Sequence, residues 1–281
     1  MPTDVSAFRA AVVGSPVAHS LSPVLHLAAY RALGLTDWSY DRIESDAAAL
    51  PGLVASLDST WAGLSVTMPG KRAALELASS ATPRALAVGA ANTLVPRGSG
   101  QWHADCTDVD GVVGALRAAA GYSPVAGAAA VVLGAGGTAC AAIAGLAELA
   151  VSSVSVVARS PDRAQDAARC AEKLGLTVEV VPWSSLATVA GATVLVNTAP
   201  SAAIEPHVAV LASAAYVLDV IYHPWPTPLA QARDGRLATG LDMLLHQAFG
   251  QVEQFTGRPA PRAAMRDALH EATGRILTLP I

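Results

Sequence analysis

Ala118–Ala147 runs for thirty residues without a charged side chain, and near its middle stands Gly134-Ala135-Gly136-Gly137. Few folds accept such a stretch. Its length would allow a membrane span. However, Gly134, Gly136, Gly137 and Gly145 interrupt it, Ser123-Pro124 breaks it early, and alanine and glycine contribute little hydrophobicity. A buried strand, a tight turn and a buried helix account for it better. The flanking sequence agrees. Ala129–Leu133, Val154–Ala158, Val178–Val181, Val194–Val196 and Val217–Val220 are short β-branched runs, with helical stretches between most of them. Short apolar strands alternating with helices imply a parallel sheet covered on both faces.

The first hundred residues have a different texture. Ala11–Gly14 is a short apolar strand followed by a Ser/Pro loop to Pro23. Val24–Leu33 predicts a helix ended by Gly34. Trp38–Ile43 and Gly63–Thr67 are strand-like, while Asp46–Leu57 and Lys71–Leu77 predict helices. Asn92–Val95 and Gln101–His103 predict a hairpin around Arg97-Gly98-Ser99-Gly100. Asp108–Ala119 is again helical, and beyond Gly240 the pattern stays helical through Leu241–Thr256 and Arg262–Leu277. The boundary between the two textures falls near Thr107–Gly111. We therefore expect two domains: residues 1–107 joined by the C-terminal helices, 241–281, and residues 108–240.

Composition excludes several classes. Hydrophobic residues make up 52% and charged residues 14% of the chain, so it buries a core and is not disordered. The net charge is −4 and no basic block stands out, so no electrostatic footprint for nucleic acid is present. Met1–Ala10 lacks the apolar run of a secretory signal. Cys106, Cys140 and Cys170 are widely spaced and match no histidine pairs. Neither a disulfide framework nor a structural metal is expected, and a reducing cytoplasm fits.

Gly134-Ala135-Gly136-Gly137-Thr138-Ala139 spells G-x-G-x-x-A between a predicted strand and a predicted helix. The first glycine permits a tight turn. The second lets backbone approach a pyrophosphate, and the small last residue lets helix and strand pack closely. Free N–H groups at the helix start then meet the phosphates. An ordinary tight turn is the plainer reading, but the strand–motif–helix–strand context favours a dinucleotide. Where an NAD enzyme usually carries an acid at the end of the second strand, this chain has Arg159 and, further on, Arg163. Guanidinium groups suit a 2′-phosphate, so NADP is the expected cofactor.

A bias in composition singles out other residues. Arginine outnumbers lysine 16 to 2, and only Asn92 and Asn197 are asparagines. Lys173 lies in an ordinary helix end. Lys71 follows Ser65-Val66-Thr67-Met68-Pro69-Gly70, a strand and a loop. Lysine can give up a proton near neutrality where arginine cannot. On residue type alone, a surface lysine that escaped the bias stays open. Both asparagines occur as Asn-Thr, with a capped turn as the bland alternative. Helix capping is equally the bland alternative for Ser22 in Ser20-Leu21-Ser22-Pro23 and for Asp108 in Asp105-Cys106-Thr107-Asp108.

Taken in order, these segments resemble the shikimate dehydrogenase family over nearly the whole length. Gly14-Ser15-Pro16-Val17-Ala18-His19-Ser20-Leu21-Ser22-Pro23 is similar to its N-terminal signature with an S-x-S pair. Residues 65–71 resemble N-V-T-x-P-x-K, residues 89–93 G-A-x-N-T, and residues 105–111 D-N-T-D-x-x-G. The glycine turn matches, as do Tyr222 and Gly240-Leu241-Asp242-Met243-Leu244-Leu245-His246-Gln247 near the C-terminus. Three positions depart from the pattern: Ser65 and Cys106 stand where the family usually has asparagine, and Ala158 replaces the asparagine before the cofactor arginine.

The resemblance implies an α/β fold with an N-terminal substrate domain, a Rossmann-like parallel-sheet NADP domain and C-terminal helices returning to the first. It implies Lys71 and Asp108 as the catalytic pair. Ser20, Ser22, Thr67, Asn92, Tyr222 and Gln247 would hold the substrate. Gly134, Ala135, Gly136, Gly137, Thr138, Ala139, Arg159, Arg163, Asn197, Thr198 and Gly240 would hold NADP. No metal is implied. The activity implied is reversible NADPH-dependent reduction of 3-dehydroshikimate to shikimate, in aromatic amino-acid (chorismate) biosynthesis. The expected partners are small molecules, with no nucleic acid or membrane, and with monomer and homodimer both open. A quinate or aminoshikimate relative is the nearest alternative; Ser22 favours shikimate, since quinate-preferring relatives often carry threonine there. A non-catalytic metabolite sensor is the other, and the presence of both Lys71 and Asp108 argues against it.

Overall fold

The structure is a computed structural model that describes residues 7–159 and 161–281. The chain divides into two compact units. One runs to Thr107 and resumes over Gln247–Leu279, and the other takes Asp108–His246.

The first unit holds a six-stranded sheet. Its chain order is β1 (Arg9–Gly14), α1 (Ser22–Ala32), β2 (Ser39–Glu44), α2 (Leu50–Ala55), β3 (Trp61–Val66), α3 (Lys71–Leu77), β4 (Ser80–Ala81), α4 (Pro83–Val88), β5 (Thr93–Pro96) and β6 (Trp102–Asp105). The sheet order is β2-β1-β3-β5-β6-β4. β1 pairs in parallel with β2 and β3, whereas β5 is antiparallel to both β3 and β6, the hairpin the sequence predicts. One face of the sheet buries Ala11, Val13, Leu64, Val66 and Leu94 against Leu50 and Val54 of α2 and Ala74 of α3.

The predicted helix over 46–57 is shorter in the structure. The Asp46 carboxylate accepts the backbone N–H groups of Ala48 (3.0 Å) and Ala49 (2.9 Å), forming a turn that delays α2 to Leu50. Ser22 is no N-cap either: it is the first residue of α1, after Leu21, and Leu21 makes no side-chain cap.

The second unit is a doubly wound parallel sheet. It contains α5 (Asp108–Ala118), β7 (Ala129–Leu133), α6 (Gly137–Glu148), β8 (Ser153–Ala158), α7 (Pro161–Lys173), β9 (Thr177–Pro182), β10 (Val194–Asn197), α8 (Ser201–Ile204), α9 (Val208–Leu211), β11 (Tyr216–Asp219), α10 (Pro228–Ala232) and β12 (Ala238–Thr239). All of its strands pair in parallel in the order β12-β11-β10-β7-β8-β9. The order reverses at β7, which lies between β8 and β10. That reversal is the switch point where ligands bind in open α/β sheets.

α11 (Gly240–Thr256) begins in the second unit and ends in the first, where α12 (Arg262–Ala272) packs on α1. Thr239 and Asp242 cap α11 reciprocally. The Thr239 N–H donates to the Asp242 carboxylate at 2.8 Å, and the Asp242 N–H donates to Thr239 Oγ1 at 3.5 Å. α12 stops at Ala272, short of the predicted Leu277, because Gly274 and then Arg275 take positive φ.

Candidate active site

In the first unit the sheet carries a buried polar cluster. Asn92, next to the start of β5, is 3% exposed. Its Nδ2 donates to Thr107 Oγ1 (3.0 Å) and Gln247 Oε1 (3.1 Å), and its Oδ1 accepts the Thr107 N–H (2.7 Å). One asparagine thereby joins the end of the β6 segment to α11. Gln251, one helical turn beyond Gln247, donates through Nε2 to the Asn92 carbonyl (3.0 Å) and Thr93 Oγ1 (3.1 Å). Its Oε1 accepts from Ser65 Oγ at 2.7 Å, and Ser65 in turn accepts from the Tyr40 hydroxyl at 2.6 Å. Ser65 is thus fully engaged from both sides.

The serine pair forms a second group. Ser20 Oγ donates to Ser22 Oγ (3.2 Å) and accepts the Ser22 N–H (3.3 Å). Thr67 follows β3, and its N–H donates to the Val13 carbonyl on β1 at 2.8 Å. Lys71 is the first residue of α3, half-buried, and its carbonyl accepts the Ala91 N–H at 2.8 Å. That bond ties the lysine's backbone to the residue before Asn92. Ser20, Ser22, Thr67, Lys71, Asn92 and Gln247 therefore all belong to the first unit.

Asp105 holds the segment leading to Thr107. Its carboxylate accepts Arg84 Nε and Nη2 (2.7 Å each), Thr82 Oγ1 (2.7 Å) and Gln254 Nε2 (2.7 Å). Burial pushes this carboxyl up, but the Arg84, Thr82 and Gln254 contacts together outweigh it and hold the pKa at about 2. Cys106, beside it, is buried, and its N–H donates to Asp105 Oδ1 at 2.7 Å.

The second unit carries the remaining predicted residues. Asp108 opens α5, buried, immediately after Thr107. Gly134 follows β7 with φ +107, and a Cβ there would collide with Thr198 Oγ1. Thr198 in turn donates through Oγ1 to the Leu133 carbonyl at 2.7 Å. Leu133 and Asn197 are register partners, so the turns after β7 and β10 adjoin at the switch point. Gly136 precedes α6 in extended conformation, provides no side-chain cap, and has nothing within 4 Å of where a Cβ would lie. Ala135 belongs to the same turn, Thr138 lies in the first turn of α6, and Ala139 is completely buried, as close helix–strand packing requires. An uncapped helix start above open space fits a dinucleotide pyrophosphate. Arg159 is exposed directly after β8, where a 2′-phosphate partner belongs. Arg163 stands in the first turn of α7, and its side chain lies outside the described residues. Ala158 is buried at the end of β8.

Asn197 is fully buried, and its amide is engaged within the unit. Nδ2 donates to the Ala199 carbonyl (3.1 Å) and to Asp219 Oδ1 (2.9 Å), and Oδ1 accepts the Ala199 N–H (3.0 Å). Asp219 also accepts from Thr227 Oγ1 at 2.7 Å, so the loop bearing Tyr222 is bracketed by one buried carboxyl. Burial raises the pKa of that carboxyl, opposed by Thr227 and Asn197. Burial likewise raises that of the Tyr222 hydroxyl. Gly240 opens α11 against the Val220 carbonyl and the Tyr222 ring, where no side chain would fit.

Sequence reasoning passed over Thr107, Gln251 and Tyr40. Thr107 lies inside a motif already singled out. Gln251 was findable, since it falls four residues after Gln247 on the same helical face. Tyr40 offered no local signal. Among the described residues no cluster of His, Cys, Asp or Glu could hold a metal, and no helix is long and apolar enough to cross a membrane.

Comparison with known proteins gives a consistent answer. The model of the shikimate dehydrogenase substrate binding domain matches residues 12–94, and that of the shikimate 5'-dehydrogenase C-terminal domain matches residues 240–270. The shikimate dehydrogenase (NADP(+)) of Methylobacterium radiotolerans is 40% identical over 279 residues, covering 93% of this chain and 96% of the relative. The crystal structure of Mycobacterium tuberculosis shikimate dehydrogenase superposes with a TM-score of 0.87 at 53% identity, covering 94% of this chain and 99% of that one. The Thermus thermophilus enzyme in complex with NADP(H) and shikimate does so with a TM-score of 0.77 at 32% identity, covering 94% and 99%. This chain belongs to the shikimate dehydrogenase family.

Proposed function

We propose that this chain interconverts 3-dehydroshikimate and shikimate with NADP(H), the step its family implies in aromatic amino-acid biosynthesis. The first unit is the substrate domain and the second the NADP domain. The observation that carries the reading is the buried Asn92–Thr107–Gln247 junction, whose backbone is tied through Ala91 to Lys71. A small polyol acid needs several hydroxyl and amide groups converging on one ring. Here Ser20, Ser22, Thr67, Asn92 and Gln247 supply them, and the family pattern adds Tyr222 as a substrate residue. Asn197, Thr198 and Gly240 shape the turns that receive NADP beside Gly134–Ala139, with Arg159 and Arg163 on the 2′-phosphate. The thiols of Cys106, Cys140 and Cys170 are buried and form no disulfide, which suits a reducing compartment, and a cytoplasmic location is part of the proposal.

Bound NADPH supplies the hydride for the ketone carbon. The chain must then stabilise and protonate the oxygen that becomes an alkoxide. Lys71 carries the proton on Nζ and delivers it to that oxygen; in the reverse direction it takes the hydroxyl proton. By the family pattern Asp108, peptide-bonded to Thr107, is the acid of the catalytic pair. Lys71→Ala lowers kcat by roughly 10² to 10⁴, the range for a lost acid–base group, with a much smaller change in shikimate affinity. Lys71→Arg fails nearly as badly, because guanidinium keeps the charge but does not release a proton. Steady-state kinetics of both variants test this. A Lys71→Arg enzyme with kcat within a few-fold of wild type overturns the proton-transfer role.

A further inference from the structure

The loop that carries Ser20 and Ser22 is bonded within itself, as by the Ser20 N–H to the Val17 carbonyl at 3.0 Å, and strand β2 also holds it. Alternate residues of a strand point to one face, so Tyr40, Arg42 and Glu44 project together. Arg42 and Glu44 bond this loop, and Tyr40 lies beside its end. Glu44 Oε2 accepts the Val17 N–H at 3.2 Å. Arg42 donates through Nε and Nη2 to the single Ser20 carbonyl, at 3.0 Å and 2.6 Å. Tyr40, packed against the His26 and Tyr30 rings, donates its hydroxyl to Ser65 at 2.6 Å and has the Ser22 side chain close by. The start of the loop is fixed from elsewhere: the Ser15 N–H donates to the Met68 carbonyl at 3.0 Å, joining it to the Thr67 turn. Two charge-assisted donors on one carbonyl fix the peptide plane after Ser20, and with it the backbone from which the Ser20 and Ser22 side chains project. Tyr40 starts its own chain of bonds, through Ser65 and Gln251 to the Asn92 carbonyl.

We infer that Tyr40 and Arg42 are positioning residues for shikimate recognition: one face of β2 holds the Ser20–Ser22 pair in the geometry that receives the substrate. Neither touches the reacting atoms. The inference rests on the reading of Ser20 and Ser22 as substrate ligands.

Full-length Arg42→Ala, Arg42→Lys and Tyr40→Phe proteins, compared with wild type, test it through four readouts: KM for shikimate, KM for NADP, kcat and Tm. Arg42→Ala raises KM for shikimate about tenfold and Tyr40→Phe about fivefold, with KM for NADP within twofold, kcat within threefold and Tm nearly unchanged. Arg42→Lys recovers part of the loss, since an ammonium reaches the Ser20 carbonyl with one bond in place of two. The Arg42→Ala effect persists in 0.5 M KCl. Its collapse in salt would assign Arg42 a long-range attraction for the substrate's charge and overturn the positioning role. Wild-type turnover with KM for shikimate unchanged in both Arg42→Ala and Tyr40→Phe overturns the inference alone. So does a parallel rise of both KM values with a fallen Tm, which marks general structural damage. A wild type inert to shikimate overturns the underlying reading as well.

Discussion

Tyr40 stacks on the His26 ring at 4.0 Å, Phe255 covers it at 5.6 Å, and no water reaches the imidazole. Burial lowers the His26 pKa to about 3, against a smaller opposing contribution from Gln251. The folded protein keeps this histidine neutral while the unfolded chain protonates it below about 6.5. Between those values the unfolded state binds the extra proton, so stability is full above pH 6.5 and is lost as pH falls. The loss is about 1.4 kcal/mol per pH unit. His26→Phe keeps an aromatic ring in the stack and removes the titration. Urea unfolding at pH 7.5 and 5.5 checks this: the wild-type advantage over His26→Phe shrinks by about 1.4 kcal/mol, and a pH-independent difference contradicts it. At this scale the sequence was readable where chemistry was scarce. Lys71, Asn92 and Asn197 stood out because their types are rare here. Tyr40 and Arg42 did not, because their roles come from partners about twenty residues away, and only the register of β2 brings those together.

The turn between β7 and α6 separates two jobs that one motif usually merges. Gly134 takes a φ of +107 and abuts Thr198, so its lack of a side chain serves the fold. Gly136 is extended, with open space beside it, so the fold does not require its lack of a side chain, which the proposed role in NADP binding explains. Gly134→Ala costs roughly 1–3 kcal/mol of stability. Gly136→Ala leaves the melting temperature nearly unchanged yet raises the Kd for NADP tenfold or more, since the new methyl stands where the pyrophosphate approaches. Thermal melts with and without NADP separate the two. Equal destabilisation of both apoproteins contradicts the division. The strands of this sheet were legible because burial on both faces demands unbroken β-branched runs; Ala129–Leu133 and Val154–Ala158 end where the sequence places them. The elements that escaped are short: β4 and β12 have two residues each, α8 and α9 four each, α10 five and α4 six.

Across the whole chain, two α/β units divide the chemistry, and the chain passes between them twice, after Thr107 and within α11. Both passages coincide with residues of the proposed site. Thr107 bonds Asn92 and precedes Asp108, and Gln247 is the first residue of α11 that belongs to the first unit. The motif order along the sequence made this plan readable in outline. Which side chains close the polar cluster was not readable, because Asn92, Thr107, Gln247 and Gln251 meet only after α11 has folded back on β5. The central claim is that this assembly oxidises shikimate with NADP. It is tested most directly by following absorbance at the NADPH band with purified protein and four pairings: shikimate or quinate, each with NADP or NAD. The account predicts rapid turnover with shikimate and NADP, and at least tenfold lower kcat/KM for the other three. Equal efficiency with NAD would contradict the role of Arg159, and no turnover with any pairing would contradict the enzyme itself.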